Sequence, residues 1–147
     1  MCVDFRDLNK ACPKDDFSLP HIDVIVDSAT SSTMYSFMDG FSGYNHIMMA
    51  VMDKIKTAFI TEWGTYCYKV IPFGLKNVGE TYQRAATALF HEMMHKEIEV
   101  YVDDIMVKSE IKEGYFEALD KFLARLEKYN LRFNPKKCVF GVTSGSC

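Results

Sequence analysis

The sequence predicts an α+β domain in which two amphipathic helices pack on an antiparallel sheet. Short runs rich in Val, Ile and aromatic residues, such as 99–102 and 105–107, are too brief for stable helices and indicate strands. Two longer stretches, 79–95 and 112–129, repeat apolar residues every three or four positions, which is typical of helices lying on a sheet. From residue 34 onward the predicted order is strand, hairpin, helix, hairpin, helix, strand.

Length and composition favour one globular domain. The 147 residues are 48% hydrophobic and 25% charged, close to the average of soluble proteins, which argues against disordered, fibrous and membrane classes. No run approaches the roughly 18 consecutive apolar residues of a membrane span. The net charge of −3 gives no basic footprint for nucleic acid and counts against a nucleic-acid enzyme.

The cysteines and the chain ends indicate an intracellular fragment. The five cysteines are odd in number and show no C-x-x-C spacing, so we expect free thiols in a reducing compartment. The N-terminus has neither the basic start nor the apolar core of a signal peptide. The chain begins inside an apparent strand and stops shortly after another, so we expect a piece of a longer polypeptide.

The N-terminal part of the chain predicts short elements. A strand is expected at 2–5, and a short helix is expected at 21–28, whose apolar residues share one face. Pro13 and Pro20 exclude a long helix between them. A buried strand at 34–38 follows, and two glycines after it allow a sharp change of direction.

A hairpin and the clearest helix come next. Strands at 57–61 and 66–70 are expected to be joined by a four-residue connection, 62–65. The helix at 79–95 then carries a Met-rich apolar stripe, which we interpret as core.

The C-terminal part predicts a hairpin, a helix and two closing strands. The hairpin at 99–107 has adjacent carboxylates at its turn, and the helix at 112–129 follows it. The closing strands are expected at 131–133 and 137–140. The expected inner stripe of the helix is Phe116, Leu119, Leu123, Leu126 and Tyr129.

Three carboxylates are candidate metal ligands. Asp39 ends a predicted strand, and Asp103 and Asp104 occupy the turn of a hairpin expected in the same sheet. If those strands are neighbours, the three converge and provide the oxygen ligands that Mg²⁺ prefers. Two such ions about 4 Å apart support phosphoryl transfer. The plain alternative is that Asp39 precedes Gly40 in an ordinary turn and the pair decorates a loop, and periodicity alone leaves the two interpretations even.

Six sequence blocks carry a family resemblance over nearly the whole chain. They are Val3–Asn9, Phe37–Tyr44, Lys56–Phe59, Tyr68–Asn77, Tyr101–Asp104 and Leu131–Cys138. The block Tyr101–Asp104 reads YVDD and resembles the YxDD motif of reverse transcriptases. In order and spacing, all six resemble consecutive blocks of that enzyme in gypsy-type long-terminal-repeat retrotransposons.

The resemblance implies a right-hand polymerase fold, of which this chain is the fingers–palm fragment. Interleaved fingers segments would lie at about 1–33 and 50–72, and the palm at about 34–49 and 73–147. The function implied is RNA-directed DNA polymerase activity, in which a primer 3′-hydroxyl attacks the α-phosphate of a deoxynucleoside triphosphate.

The same resemblance implies roles for individual residues in the palm. Asp39, Asp103 and Asp104 would be the catalytic, metal-binding carboxylates. Tyr44 resembles the aromatic residue that lies beneath the incoming sugar and rejects a ribose 2′-hydroxyl. The alternative interpretation of Tyr44 is that it is a core residue beside a glycine turn, with no role in substrate binding.

Three further residues are implied to line the nucleotide site, and one to act in the fingers. Phe73 would pack near the nucleotide, and Val102 would lie close to the primer end. Lys137 resembles a lysine near the leaving pyrophosphate, where a cationic acid neutralises developing charge. A solvated basic pair is the alternative for Lys137. Arg6 is expected to pair with a local acid.

The resemblance also implies cofactors, partners and a location. Two Mg²⁺ ions would bind, with Mn²⁺ as a substitute. The partners would be an RNA or DNA template with primer, the dNTP, and the rest of the Pol polyprotein, with its upstream fingers, thumb and RNase H. The location implied is a cytoplasmic virus-like particle, with no membrane contact. Glu80 and the apolar residues at 50–53 depart from the family pattern, so a catalytically inactive palm remnant that binds nucleic acid weakly is the alternative.

Overall fold

A computed structural model describes residues 3–40 and 43–143, and the side chains at 43 and 44 lie outside that description. The helices are α1 (Arg6–Ala11), α2 (Ile22–Thr30), α3 (Val51–Lys56), α4 (Val78–Phe90) and α5 (Lys112–Lys128). The strands are β1 (Met34–Asp39), β2 (Phe59–Thr61), β3 (Gly64–Tyr66), β4 (Ile98–Tyr101), β5 (Asp104–Ser109) and β6 (Val139–Thr143). Within the described ranges, none of the helices has the length and apolar character needed to cross a bilayer.

Four strands form the main sheet in the order β4-β5-β1-β6, and each neighbouring pair is antiparallel. The strands β2 and β3 form a separate hairpin. Because side chains alternate along a strand, one face of the main sheet carries a continuous apolar set into the core. This set includes Met38, Ile98, Val100, Ile105 and Val107. The predicted α+β class, with helices packed on an antiparallel sheet, is confirmed.

The helices α4 and α5 cover this apolar face. Phe90 of α4 and Phe122 of α5 are almost fully buried, and their rings stack with centroids 5.3 Å apart. Burial of each ring stabilises the fold by about 1.5–3 kcal/mol relative to an exposed ring. The core therefore lies between the two helices and one side of the sheet.

The opposite face of the sheet carries the carboxylates. The register pairs Phe37 with Met106 and Asp39 with Asp104, so these four side chains share the face that α4 and α5 do not cover. The helix α2 lies beside this face, and a groove of about 780 Å³ separates it from the strands. The apolar core and the carboxylates thus lie on opposite faces of one sheet.

A buried ion pair connects α2 to the β4–β5 hairpin. Lys108 Nζ donates to Glu99 Oε1 at 2.9 Å, and the Ser28 hydroxyl of α2 donates to the same oxygen at 2.6 Å. Burial alone would raise the pKa of the Glu99 carboxyl, but the hydrogen bonds from Ser28 and Lys108, with the Lys108 charge, bring that pKa below its ordinary value. This network fixes α2 beside the sheet.

The expected strand at 2–5 is wrong for its described part. Residues 3–5 form no strand, residues 1 and 2 lie outside the described part, and α1 begins at Arg6. The Asp4 carboxylate accepts from the Arg6 backbone N–H at 3.0 Å and from Arg6 Nε at 2.7 Å. This side-chain turn opens a helix where a short apolar run predicted extended chain. The expected pairing of Arg6 with a local acid is present, and the helix predicted at 21–28 is confirmed as α2.

A hairpin is present within 57–70, formed by β2 and β3, but the strand expected at 66–70 is wrong beyond Tyr66, because the second strand runs from Gly64 to Tyr66. The connection is also shorter than expected. Thr61 pairs with Gly64, so two residues rather than four join the strands. Thr61 Oγ1 accepts from the Trp63 N–H and donates to the Gly64 carbonyl, which closes the turn early. Gly64 has a φ of 137°, a backbone conformation that side chains disfavour. The helix α3, which precedes this hairpin, was not predicted.

The α4 and α5 helices are confirmed with two corrections. α4 ends at Phe90 rather than near residue 95, and a turn region continues to β4. In α5 the buried residues are Tyr115, Ala118 and Phe122, whereas the predicted stripe residues Phe116, Leu123 and Tyr129 are exposed. The face that meets the sheet carries the small Ala118 and the hydroxyl-bearing Tyr115, so the most hydrophobic residues of α5 do not mark its buried side. Tyr115 in fact hydrogen-bonds buried Ser36 of β1.

The chain closes with one strand rather than two. Residues 131–133 form no strand, and a 3-10 helix at Pro135–Lys137 leads into β6. The Asn134 side chain accepts from the Lys136 N–H at 3.1 Å and caps this turn. Leu131 and Phe133 pack against the core edge instead of pairing with a neighbouring strand.

Removing Lys108 should destabilise the fold far more than removing an exposed lysine. In Lys108→Met, Glu99 stays buried and loses its buried cation, keeping Ser28 and the His95 ring as side-chain partners. We expect a loss of about 3 kcal/mol in the free energy of unfolding. Lys121→Met breaks a half-exposed pair with Glu97 and should cost less than about 1 kcal/mol. Urea unfolding followed by circular dichroism measures both.

The pH dependence gives a second readout of the same pair. Because the folded pKa of Glu99 is depressed, its stabilising contribution is present above the unfolded pKa and is lost as the pH falls through the folded one. The difference in the free energy of unfolding between the parent chain and Lys108→Met should therefore become smaller at acidic pH. Equal losses for the Lys108 and Lys121 variants at neutral pH would contradict the assignment.

Candidate active site

The carboxylate turn is a two-residue hairpin loop with unusual backbone geometry. Tyr101 and Asp104 form the last strand pair, and Val102 and Asp103 form the loop between them. Val102 has a φ of 50°, a region that glycine, Asn and Asp adopt and that a β-branched residue disfavours. Such a residue costs on the order of 1–3 kcal/mol and persists only where its surroundings impose the conformation.

The third carboxylate comes from the neighbouring strand. Asp39 is the last residue of β1 and lies directly across from Asp104, the first residue of β5. Beyond this pair, the Gly40 N–H donates to the Asp103 carbonyl at 2.7 Å. Strand register alone therefore brings Asp39, Asp103 and Asp104 to one end of the sheet.

Gly40 allows the two chain segments to approach closely. A Cβ added at Gly40 would lie 2.5 Å from the Tyr82 hydroxyl oxygen and 3.1 Å from the Asp103 carbonyl oxygen. Both distances are shorter than normal contacts, and the carbonyl belongs to a backbone that cannot move freely. The glycine is required here for space next to the turn.

A residue of α4, Gln83, hydrogen-bonds the backbone at the carboxylate turn. Gln83 is 2% exposed, and its side chain bonds the backbone on both sides of Tyr101. Its Nε2 donates to the Val100 carbonyl at 2.9 Å, and its Oε1 accepts from the Val102 N–H at 2.7 Å. Sequence reasoning missed Gln83, although a single amide inside the apolar stripe of a helix is a detectable signal of a buried polar contact.

Like charges are crowded at this end of the sheet. Partial burial and the neighbouring Asp39 and Asp103 raise the pKa of the Asp104 carboxyl, which the Lys137 charge only partly opposes. Burial, with the same two anions, raises the pKa of the Tyr82 hydroxyl to about 12. The Asp103 Oδ1 atom is buried and has no hydrogen-bond partner among the described residues. A cation would relieve each of these conditions.

One cation of the chain is already present at the site. Lys137 Nζ lies 2.9 Å from Asp39 Oδ2, and this hydrogen bond and charge raise the pKa of the lysine. The segment before it is tied to the same strand end, since the Asn134 N–H donates to the Asp39 carbonyl at 3.3 Å. Lys137 thus contacts a predicted metal ligand, while 58% of its side chain stays exposed to solvent.

The other predicted nucleotide-site residues are placed as follows. Val102 lies in the turn itself, near the first turn of α4 at Gly79. Phe73 lies in the loop before α4 and is 75% exposed. The backbone of Tyr44 belongs to a 3-10 helix at Gly43–His46, and its side chain lies outside the described residues.

The donor set fits a hard divalent cation in its chemistry. The site offers only carboxylate oxygens, and one of them, Asp103 Oδ1, is buried without a hydrogen bond in the described part of the chain. Over residues 3–40 and 43–143, however, no group of three His, Cys, Asp or Glu side chains is gathered closely enough to hold an ion as placed. The backbone brings the three carboxylates together, and Asp39 is turned to Lys137.

Solved structures with the same fold are reverse transcriptases. The foamy viral protease-reverse transcriptase in complex with an RNA/DNA hybrid superposes with a TM-score of 0.81 at 23% identity, over 93% of this chain and 18% of that one. The foamy viral protease-reverse transcriptase dRH, in complex with double-stranded DNA, gives a TM-score of 0.82 over 93% of this chain and 24% of that one. At this identity the likeness establishes the fold, a fragment of the α+β polymerase.

Curated relatives are Pol polyproteins of retrotransposons. In Drosophila melanogaster, the retrovirus-related Pol polyproteins from transposons opus and gypsy are 36% and 32% identical over 140 residues, 95% of this chain. The chain spans 14% of the length of each. An RNA-directed DNA polymerase homolog of Oenothera berteroana is 32% identical over 107 residues, covering 73% of this chain and 75% of its own length.

The family profile agrees with both comparisons. The profile described as reverse transcriptase (RNA-dependent DNA polymerase) matches residues 1–146, which is nearly the whole chain. The register of β1 and β5 places the YVDD turn beside Asp39, as the six sequence blocks led us to expect. The chain belongs to the reverse transcriptase family.

Proposed function

We propose that this chain forms the catalytic centre of an RNA-directed DNA polymerase of a gypsy-type retrotransposon. The observation that carries the proposal is the pairing of Asp39 with Asp104 across β1 and β5, with Asp103 in the adjoining turn. Three carboxylates at one sheet end, with a raised Asp104 pKa, form an anionic site that needs a cation. Nucleotidyl transfer requires such a site.

Asp39, Asp103 and Asp104 would hold two Mg²⁺ ions, for which Mn²⁺ could substitute. Bound there, the ions would lower the pKa of an attacking hydroxyl and stabilise the leaving oxygen. The positions of the carboxylates would determine where the metal ions bind. The turn that carries Asp103 and Asp104 is held in place by a hydrogen bond to Gln83 of α4. Positioning and electrostatics would therefore supply most of the rate.

Lys137 would act on the leaving side of the reaction. Its ammonium group lies 2.9 Å from Asp39 Oδ2, and this hydrogen bond and charge raise the pKa of the lysine further above neutral pH. A protonated lysine that shifts from Asp39 to the substrate would donate hydrogen bonds, or a proton, to the departing pyrophosphate. Tyr44 would select the deoxyribose, Phe73 would pack near the nucleotide and Val102 would lie close to the primer end.

The partners would be a primed template, a dNTP and the remainder of a Pol polyprotein. The foamy viral enzyme binds an RNA/DNA hybrid in one solved structure and double-stranded DNA in others, which supports a nucleic-acid partner for this fold. Since the chain spans 14% of its polyprotein relatives, the surfaces that grip template and triphosphate would come largely from other segments. We place the assembly in a cytoplasmic particle.

Primer extension tests the catalytic carboxylates. The 140 residues of this chain that match the opus Pol polyprotein replace the corresponding segment of that polyprotein. Primer extension by the chimera is then followed on an RNA template with Mg²⁺ or Mn²⁺. In this chimera Asp103→Asn should slow extension at least about 100-fold, because loss of a ligand exceeds the 10–100-fold effect of losing an outer partner.

Asp120→Asn is the matched control, since Asp120 is an exposed acid of α5, the helix that covers the opposite face of the sheet. It should extend primers as the parent chimera does. An Asp103→Asn chimera as fast as its parent would show that the site assignment is wrong. A parent chimera that melts cooperatively but extends no primer would favour the inactive palm remnant.

Asp104→Asn should stabilise the folded chain at pH 7. The raised pKa of Asp104 means that the folded state binds this proton more tightly than the unfolded state, so ionisation destabilises the fold above the folded pKa. The amide removes that repulsion, and the gain should vanish as the pH falls below the ordinary aspartate pKa. Thermal melting from pH 3 to pH 7 measures it, with exposed Asp23→Asn as the control. An unchanged or lower Tm at pH 7 would contradict the crowding argument.

A further inference from the structure

We propose that Gln83 is a positioning residue that sets the backbone of the carboxylate turn for metal binding. The inference rests on the proposed function, because it assigns to Asp103 and Asp104 the role of metal ligands. Gln83 lies in the second turn of α4 and bonds the backbone immediately before and after Tyr101. It therefore acts on the carboxylates through the chain that carries them.

The two hydrogen bonds of Gln83 are specific to its amide. Val100 presents a carbonyl and Val102 an N–H, so the side chain must donate at one atom and accept at another, 2.9 Å and 2.7 Å away. Glutamine does both, whereas methionine of similar length cannot donate and accepts only weakly. Because the side chain is 2% exposed, water cannot easily replace the lost bonds, and an orphaned Val102 N–H would cost about 1–3 kcal/mol.

The bond to Val102 acts where the backbone is strained. Val102 has a φ of 50°, so its N–H points in a direction that a relaxed valine would not choose. Gln83 Oε1 accepts a hydrogen bond from this N–H and so stabilises the strained conformation. The next residue, Asp103, is held by its carbonyl, which accepts from the Gly40 N–H at 2.7 Å. Opposite sides of the loop are thereby fixed by two different elements, α4 and the end of β1.

The consequence for the carboxylates is geometric. Asp103 and Asp104 follow Val102 directly, so a change in the Val102 backbone swings both side chains relative to Asp39. Metal ligands need to be held within a few tenths of an ångström of their productive positions. Loss of an outer partner that orients ligands typically weakens metal binding 10–100-fold.

The test measures Mn²⁺ binding to the 147-residue chain by loss of the free-ion electron paramagnetic resonance signal. Gln83→Met should weaken binding about 10-fold. Thr57→Val is the matched control, because Thr57 is equally buried and also bonds the backbone, but its partners are the Tyr68 N–H and the Lys54 carbonyl rather than the carboxylate turn. Both variants should lose stability, and only Gln83→Met should lose affinity. Equal Mn²⁺ affinity for Gln83→Met and the parent chain overturns the proposal.

Asp103→Asn and amide NMR separate this inference from the proposed function. If Mn²⁺ binding to the parent chain is absent or does not depend on Asp103, the proposed metal chemistry fails. In either case the amide signals of Val102, Asp103 and Asp104 should shift in Gln83→Met and stay in place in Thr57→Val. Unmoved signals in Gln83→Met overturn the positioning role whatever the metal result.

Discussion

The pairing of Asp39 with Asp104 is the constraint on which the site depends. It places two carboxylates side by side in an antiparallel ladder, where directly opposed like charges are destabilising. The ladder itself is held from the other face, where Met38 and Ile105 lie in the core under α4 and α5. Because side chains alternate strictly along a strand, burial of one set fixes the other. The apolar core thus dictates that these two acids face each other.

The turn adds a second constraint that local sequence does not satisfy. Val102 in a left-handed conformation opposes its own backbone preference, and Asp103 carries a buried oxygen without a hydrogen bond in the described structure. Violations of local rules that cluster in this way are expected at functional sites. Gln83 and Gly40 supply the compensating contacts, and Lys137 supplies a charge. Each of the three comes from a different segment of the chain.

Features that follow from periodicity could be predicted from the sequence, and features that depend on single side-chain hydrogen bonds could not. Elements with a strong period, such as α5 and the β4–β5 hairpin, were placed correctly, and so was the meeting of Asp39 with the acidic turn. Elements decided by single side-chain bonds were not: Asp4 opens a helix where a strand was expected, and Thr61 shortens a hairpin. The supporting bonds of Gln83 join residues 17 and 19 positions apart. Such contacts need the packing of α4 on β4, which periodicity does not specify.

The net charge of −3, which argued against nucleic acid, has a local explanation. Three of the acidic side chains lie at the carboxylate site, and several others are neutralised within the chain, such as Glu99 by Lys108 and Glu97 by Lys121. Two divalent cations bound at the site would add a charge of +4, which exceeds the net charge of −3 on the whole chain. Charge summed over a fragment therefore says little about affinity for a polyanion. What matters is where the acids lie, and here the register of β1 and β5 brings three of them to one end of the sheet.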